Sequence, residues 1–177
     1  MQGLKKYYSE LLDDCQHVNN LTTLSPSVIN SPAIYSLLAS KYYKADEQGI
    51  KINLEIFLDL NVINMKIYEF TRILGILMDN AIEAASQCDK KLINLCIKKD
   101  PKVNRQLLII ENTYSNKNVD TEKIFEKGYT SKQTEDNKSH GIGLWEVREI
   151  LKKNHNLNLF TSKNNNYFSQ QLEIYNR

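Results

Sequence analysis

The 177-residue sequence contains only three cysteines, Cys15, Cys88 and Cys96, and no Cys-x-x-C pair. An odd number of cysteines without that spacing argues against both a disulfide framework and a zinc site. The three histidines show no metal-ligand spacing either. We therefore interpret the cysteines as reduced packing residues in a cytosolic compartment.

An excess of charge of one sign is also lacking, since the formal net charge is +2. This balance gives no argument for nucleic acid or for an anionic membrane surface as a partner. No run approaches eighteen apolar residues, so no transmembrane helix is predicted, and the first residues lack the apolar stretch of a secretory signal. The length fits one soluble domain with room for a helical extension.

Hydrophobic periodicity and turn residues divide the chain into helices and strands. Residues 21–32 carry two prolines among serines and threonines, which makes them the best boundary candidate. The polar stretch 114–140 predicts a long loop with at most one helical turn near residues 121–126. Helices are predicted over residues 4–20, 33–48, 66–87 and 142–154, and strands over residues 50–56, 91–98, 105–113, 156–162 and 166–175.

The order of these elements indicates the fold class. Most consecutive strands are joined by short turns, so we expect a mixed, mostly antiparallel sheet. Each helix has one apolar side, and these sides must cover one face of the sheet. The sequence therefore predicts an α+β protein, a two-layer α/β sandwich.

Asn80 is the first candidate functional residue. It lies one turn after Leu77 and one turn before Ala84, on or beside the apolar side of the longest predicted helix. A buried amide without a partner costs about 1–3 kcal/mol, and its carbonyl oxygen is the kind of ligand that Mg²⁺ prefers. An ordinary surface asparagine also fits this position, and Asp79 and Glu83 would either add charge near a metal or face water.

The segment 141–147, Gly-Ile-Gly-Leu-Trp-Glu-Val, opens the next predicted helix. Two glycines allow backbone amides to turn toward a ligand, and the positive end of the helix favours a phosphate. No Gly-Lys-Ser/Thr follows, and no strand directly precedes, so neither a P-loop nor a Rossmann fingerprint is present. A plain loop-to-helix junction is the alternative.

Two further segments are ambiguous. Residues 127–140 form a long polar stretch, which is typical of a functional lid but also of a solvated loop. Its lysines, with Lys123 just before it, suit a flap over phosphates. Glu111 and Asn112 end a buried strand, where a polar side chain could read an adenine edge or simply form a turn.

Three segments, LMDNAIEAA at 77–85, IFEKGYTSK at 124–132 and SHGIGLWEVREIL at 139–151, together resemble the ATP-binding (HATPase) domain of the GHKL superfamily. That superfamily includes sensor histidine kinases, DNA gyrase, MutL and heat-shock ATPase chaperones. More narrowly, the chain resembles the Agr-type, VirS-like kinases that sense peptide pheromones in low-GC Gram-positive bacteria. The resemblance implies a Bergerat-type fold for the catalytic domain, residues 31–177. Residues 1–30 would be a linker and a remnant of the second helix of the dimerisation hairpin.

The resemblance also implies the site. It assigns Asn80 to Mg²⁺ and to catalysis, and it assigns Lys132, in a lid formed by residues 126–140, to a phosphate of ATP. The other nucleotide-binding residues that it implies are Glu83, Asn112, Phe125, Gly141, Ile142, Gly143 and Leu144.

Two positions depart from the superfamily pattern. Asn112 stands where most members have the aspartate that reads the adenine amino group, and no glycine follows it in residues 113–116. Ile76 stands where the hydrolases of the superfamily carry the glutamate that activates water. An apolar residue cannot act as a general base, so this position favours a kinase over a hydrolase.

The resemblance implies the cytoplasmic catalytic domain of a membrane-anchored two-component sensor histidine kinase, itself soluble. It would transfer the γ-phosphoryl group of ATP to a histidine outside this sequence, for relay to a response regulator in quorum sensing. His17, His140 and His155 do not fit the acceptor, which lies in the helical hairpin that forms the homodimer. A sensor region preceding this sequence would supply the only membrane contact.

Two alternatives stay open. One is a GHKL ATPase that uses hydrolysis to drive a conformational change, with Glu83 as a substitute base. The other is a non-catalytic docking module with a degenerate nucleotide site, which the missing glycines after Asn112 favour.

Overall fold

The computed structural model describes residues 29–129 and 141–176. The predicted helix over residues 4–20 and the domain boundary near residue 30 therefore lie largely outside the described residues. The described helices are α1 (Pro32–Asp46), α2 (Ile67–Ser86) and α3 (Gly143–Lys153), with short 3₁₀ helices at Leu60–Val62 and Lys123–Phe125. The described strands are β1 (Lys51–Phe57), β2 (Leu92–Asp100), β3 (Arg105–Thr113), β4 (Leu157–Lys163) and β5 (Tyr167–Tyr175).

The five strands form one mixed sheet with the order β1-β2-β3-β5-β4. β1 and β2 are parallel, with Lys51 opposite Leu92, because the chain between them crosses over through α2. The other three strand pairs are antiparallel. The predicted mixed and mostly antiparallel sheet is therefore confirmed.

The core lies between one face of this sheet and the helices. Alternate residues of each strand point to this face, as Ile93, Leu95 and Ile97 do on β2. All three described helices contribute to the same core, which confirms the predicted two-layer arrangement. Helical spacing places Ile67 on the apolar side of the helix predicted over residues 66–87, and this expectation is wrong: Ile67 is 42% exposed, because it lies in the first turn of α2, at the open end of the helix.

The other face of the sheet is polar. Asn53 Nδ2 donates to Asn94 Oδ1 at 2.8 Å, and Asn94 Nδ2 donates to Glu111 Oε1 at 3.2 Å, which links three strands. Within residues 29–129 and 141–176, no helix is both long and apolar enough to span a membrane.

Glu173 makes this polar face sensitive to acid. Burial raises the pKa of its carboxyl, but hydrogen bonds from Tyr175 and Gln171 and the charge of Arg105 outweigh burial and lower the pKa below the usual 4.5. A carboxyl whose pKa is lowered by folding stabilises the protein above its unfolded pKa, and this stability is lost as the pH falls through the folded pKa.

We therefore expect Glu173→Gln to lower the urea midpoint at pH 7, and this difference from wild type to shrink as the pH falls below about 4.5. Glu149→Gln is the control, since Glu149 forms an exposed ion pair with Lys152 on α3. A Glu173 effect that is the same at pH 7 and pH 3 would show that charge plays no part.

The direction of α2 sets the position of Asn80 along the sheet. Just before α2, the Asn64 backbone amide donates to Gln106 Oε1 near the start of β3, at 2.8 Å. Soon after α2, the Leu92 backbone amide donates to Thr113 Oγ1 at the end of β3, at 3.2 Å. The two elements therefore run in the same direction. From the rise per residue, Asn80 lies about 21 Å along α2 and Asn112 about 20 Å along β3 from the Gln106 end, so both stand toward the other end of the sheet.

Candidate functional site

The first contact of the site brings the start of α3 against α2. Gly143 is the first residue of α3, and a Cβ atom there would lie 3.1 Å from Ile76 Cγ2. Such close packing favours glycine, which has no side chain. Because Ile76 is one helical turn before Asn80, the N-terminus of α3 lies beside Asn80.

Gly141 closes the turn that leads into α3. Its φ is +85°, and a Cβ atom there would lie 2.6 Å from the Tyr129 carbonyl oxygen. The Gly128 amide donates to the Gly141 carbonyl oxygen at 3.0 Å. This contact ties together the two chain segments that flank residues 130–140. Lys132 lies outside the described residues, so its predicted role at a phosphate stays a prediction.

Asn80 itself is half-buried, and its Nδ2 atom is buried without a hydrogen-bond partner among the described residues. A half-turn of the amide plane presents the carbonyl oxygen in the same place. No group of three or more His, Cys, Asp or Glu residues that could hold a metal occurs in the described part of the chain. An Mg²⁺ ion here would therefore bind one protein oxygen together with ligand oxygens and water, which fits the ion's preference.

Asp79 is held in ion pairs, a contact that neither of its two predicted options, charge near a metal or exposure to water, includes. It forms ion pairs on the α1 side of α2, with Lys41 at 2.7 Å and Lys44 at 2.9 Å. Partial burial raises the pKa of Asp79, but the two lysines lower it below the usual value. The ion pairs of Asp79 thus connect α2 to α1. Glu83, one turn beyond Asn80 on α2, is half-buried.

Asn112 lies at the end of β3 and is 3% exposed. Its Nδ2 atom donates to the Thr113 carbonyl oxygen at 2.8 Å, so one N–H of the amide nitrogen is occupied by the chain itself. The side chain still has its acceptor oxygen and a second N–H hydrogen. The prediction of a polar strand end is therefore consistent with the observed position.

The loop after Asn112 is formed without the glycines of the superfamily pattern. In the described chain, Asn104 is the only residue other than glycine with a positive φ, so residues 113–116 adopt a backbone open to any residue. The Tyr114 hydroxyl donates to the Asn164 carbonyl oxygen at 2.6 Å, and Lys117 Nζ donates to that of Asn165 at 2.6 Å. Side chains therefore hold this loop against the β4–β5 turn.

The remaining predicted residues lie around the start of α3. Phe125 is half-buried in the 3₁₀ helix Lys123–Phe125, which contacts α3. Leu144 packs against the core, whereas Ile142 is exposed. Lys127 Nζ lies 4.9 Å from the ring centre of Trp145, a cation–π contact that joins the chain before residue 130 to the first turn of α3.

One ion pair between α2 and the start of α3 could not be predicted from the sequence. Arg72 on α2 contacts Glu146 in the first turn of α3 through two hydrogen bonds of 2.7 and 2.5 Å. The partners are 74 residues apart, and no spacing rule connects them. The Arg72 guanidinium lowers the pKa of the Glu146 carboxyl below its usual value.

Two surface cavities lie elsewhere. One of about 660 Å³ is lined by Met65, Lys66 and Gln106 among others, and one of about 370 Å³ by Lys66, Arg72 and Asn154 among others. Both are at the N-terminal half of α2. The orphaned amide and the glycine contacts, rather than cavity size, therefore locate the candidate site around Asn80.

A known protein is similar to a large part of this chain. Sensor histidine kinase CitA of Klebsiella pneumoniae is 34% identical over 124 residues, covering 66% of this chain and 21% of that protein. The chain thus spans about one fifth of that relative's length.

Solved structures share the fold. The catalytic domain of histidine kinase ThkA superposes with a TM-score of 0.64 at 20% identity, covering 81% of this chain and 90% of that one. Full-length ShkA in complex with AMPPNP superposes with a TM-score of 0.59 at 16% identity, covering 96% of this chain and 38% of that one. The α+β fold is therefore that of histidine kinase catalytic domains. The family model of the GHKL domain matches residues 65–175, and the chain belongs to this family.

Proposed function

We propose that this GHKL domain is the catalytic and ATP-binding domain of a two-component sensor histidine kinase. The observation that carries the proposal is the buried, unpartnered amide of Asn80 beside the Gly143–Ile76 contact. An amide without a partner needs a ligand, and the adjacent helix N-terminus provides free backbone N–H groups for phosphate oxygens.

In this proposal, residues of the chain act by positioning and by charge neutralisation. Mg²⁺, when bound, would neutralise charge on the phosphates. Asn80 would orient the ion, and the amides that begin α3 would donate to phosphate oxygens. The γ-phosphoryl group of ATP would pass to a histidine nitrogen on another segment, leaving ADP.

Ile76 supports transfer to histidine over hydrolysis. Its side chain is buried against Gly143, so the position beside Asn80 where a water-activating carboxylate would stand is filled by an apolar group. Glu83 is the substitute base that the ATPase alternative requires. The two functions therefore predict different effects of Glu83→Gln.

The experiment uses γ-labelled ATP, with phosphate release and protein labelling measured separately. We expect slow phosphate release that Glu83→Gln leaves unchanged, and acid-labile, base-stable label on an added helical-hairpin polypeptide that carries the acceptor histidine. Fast release that Glu83→Gln abolishes would favour the ATPase. The absence of nucleotide binding would favour a docking module.

Arg72 has a predicted electrostatic role in this site. Glu146 places a negative charge in the first turn of α3, where it would repel phosphates, and Arg72 neutralises it. We expect Arg72→Gln to weaken Mg-ATP binding several-fold and the double variant Arg72→Gln/Glu146→Gln to restore it. Calorimetric titration of both variants tests this, and equal weakening in the double variant would indicate packing instead.

The narrower assignments rest on sequence resemblance alone. The Agr-type, VirS-like subfamily and its peptide signal are proposed from the segments at 77–85, 124–132 and 139–151. A response regulator as partner, a homodimer through an upstream hairpin and a membrane-anchored sensor region are proposed for the whole protein. Labelling of a response regulator by the phosphorylated hairpin would test the first of these.

A further inference from the structure

Two neighbouring strands carry buried polar atoms that have no partner. Gln170 on β5 is 4% exposed, and Thr161 on β4 stands opposite it in register. Nε2 of Gln170 and Oγ1 of Thr161 make no hydrogen bond, either to each other or to other described residues. Buried polar groups are almost always hydrogen-bonded, so two adjacent exceptions need an explanation.

Packing alone does not explain the glutamine. Gln170 alternates with Leu172 and Ile174, which are both buried in the core between sheet and helices. The pattern of the strand therefore calls for an apolar residue at position 170. A leucine there would leave no amide unsatisfied, so the amide at this position needs a reason other than packing.

The position of Gln170 connects it to the site around Asn80. Gln170 stands opposite Ile110 on β3, and Asn112 stands opposite Phe168. Gln170 and Asn112 are therefore diagonal neighbours about 7–8 Å apart on the face that the helices cover. Asn80 stands toward the same end of the sheet as Asn112, because α2 and β3 run in the same direction.

The course of α3 places its N-terminus, rather than its body, beside α2 near Asn80. α3 begins beside Ile76 and runs back toward the start of α2, as the contacts of Glu146 with Arg72 and of Asn154 with Glu69 show. The end of β3 with Asn112, and Gln170 as its diagonal neighbour on β5, lie on the sheet face that packs against the helices.

We propose that Gln170 and Asn112 together read the base of the bound nucleotide, which rests on the proposed function. Asn112 would accept from the base through its side-chain oxygen, while one N–H of its amide nitrogen donates to the Thr113 carbonyl oxygen. Gln170 carries a buried amide nitrogen without a partner, and in the observed orientation of the amide this Nε2 atom would donate to the base. Adenine carries an amino donor beside ring-nitrogen acceptors, which complements this pair, whereas guanine and hypoxanthine carry an oxygen acceptor in place of the amino group.

In this proposal, Asn112 and Gln170 supply the specificity for adenine that an aspartate at position 112 supplies in most members of the superfamily. Asn112 alone contributes one uncharged acceptor, and Gln170 adds a second contact from the neighbouring strand. A site with two such contacts favours adenine over hypoxanthine because a mismatched base leaves a buried polar group unpaired.

The test compares Mg-ADP and Mg-IDP by calorimetric titration of the wild-type chain and Gln170→Leu. We expect the wild type to prefer ADP and the variant to bind ADP about five- to tenfold more weakly, with little change for IDP. Without nucleotide, the thermal midpoint of the variant should equal or exceed that of wild type. Gln170→Met, which keeps the chain length without the amide, provides a second variant.

Gln171→Leu is the matched control. Gln171 is the next residue on the same strand but lies on the opposite face, where it donates to Glu173 at 2.9 Å. We expect this variant to keep the preference for ADP. Unchanged discrimination in both Gln170 variants, or a lower midpoint with equal loss for both nucleotides, would overturn the inference alone. A wild type that binds neither nucleotide would overturn the proposed function as well.

Discussion

Replacing Asn80 with alanine is expected to raise the Kd for Mg-ADP by about 10- to 100-fold, the range for losing a buried polar contact to a charged group. The dependence on magnesium should disappear with it, so that titrations with Mg²⁺ and with EDTA give the same weak binding. Calorimetry or ligand-induced shifts of the thermal midpoint would measure both effects. The physical reason is that Asn80 is the buried amide that lies beside the N-terminus of α3 without a partner.

If Asn80→Ala weakened binding by unfolding the protein, its thermal midpoint would fall. Without nucleotide, Asn80→Ala removes an unpaired buried amide and adds a strong helix former to α2, so the midpoint should stay the same or rise. Asn80→Asp keeps an oxygen ligand and should retain part of the magnesium dependence. Wild-type affinity in Asn80→Ala would contradict the assignment of this residue.

The second large effect is expected at Gly141. An alanine there would place its Cβ atom 2.6 Å from the Tyr129 carbonyl oxygen and 2.7 Å from the Gly128 carbonyl carbon, and all of these atoms belong to the backbone. Because backbone cannot rotate away, the turn into α3 must shift. We expect Gly141→Ala to abolish detectable nucleotide binding and to lower the thermal midpoint.

Alanine substitutions at two other glycines serve as controls that distinguish the effect of this steric clash from that of backbone strain. Gly128 and Gly49 also have positive φ, +80° and +66°, but a Cβ atom at either would meet nothing within 4 Å. Each alanine substitution there should therefore cost only the left-handed backbone penalty, about 1–2 kcal/mol. If Gly141→Ala behaves like Gly49→Ala in unfolding and binding experiments, the close contact has no functional weight.

Much of the fold follows from the sequence because alternation and helical periodicity are local. Ile52 and Leu54 alternate with Asn53 and Glu55, and this pattern alone defines a strand with one face toward the core. The parallel pairing of β1 with β2 could not be predicted in the same way. It depends on the path of α2 over the sheet, which joins residues about forty positions apart.

Some residues of the candidate site can also be identified from local sequence, whereas others need the tertiary structure. Asn80, Gly141 and Gly143 stand out in the sequence because each needs a particular residue type in a particular local conformation. Gln170 does not stand out, since it is followed by Gln171 and the sequence alone does not decide which glutamine faces the core. Nor does any local rule pair Asp79 with Lys41, so the sequence leaves the charge of Asp79 unassigned, whereas the fold uses it in an ion pair.

The cation–π contact between Lys127 and Trp145 has an optical consequence. Trp145 is the only tryptophan in the sequence, and it lies in the first turn of α3 with a charged ammonium group 4.9 Å from its ring centre. Indole emission responds to a nearby charge, so the intensity and wavelength of fluorescence report directly on the junction of α3 with the segment before residue 130. The protein therefore carries its own chromophore at this junction, next to the candidate nucleotide site.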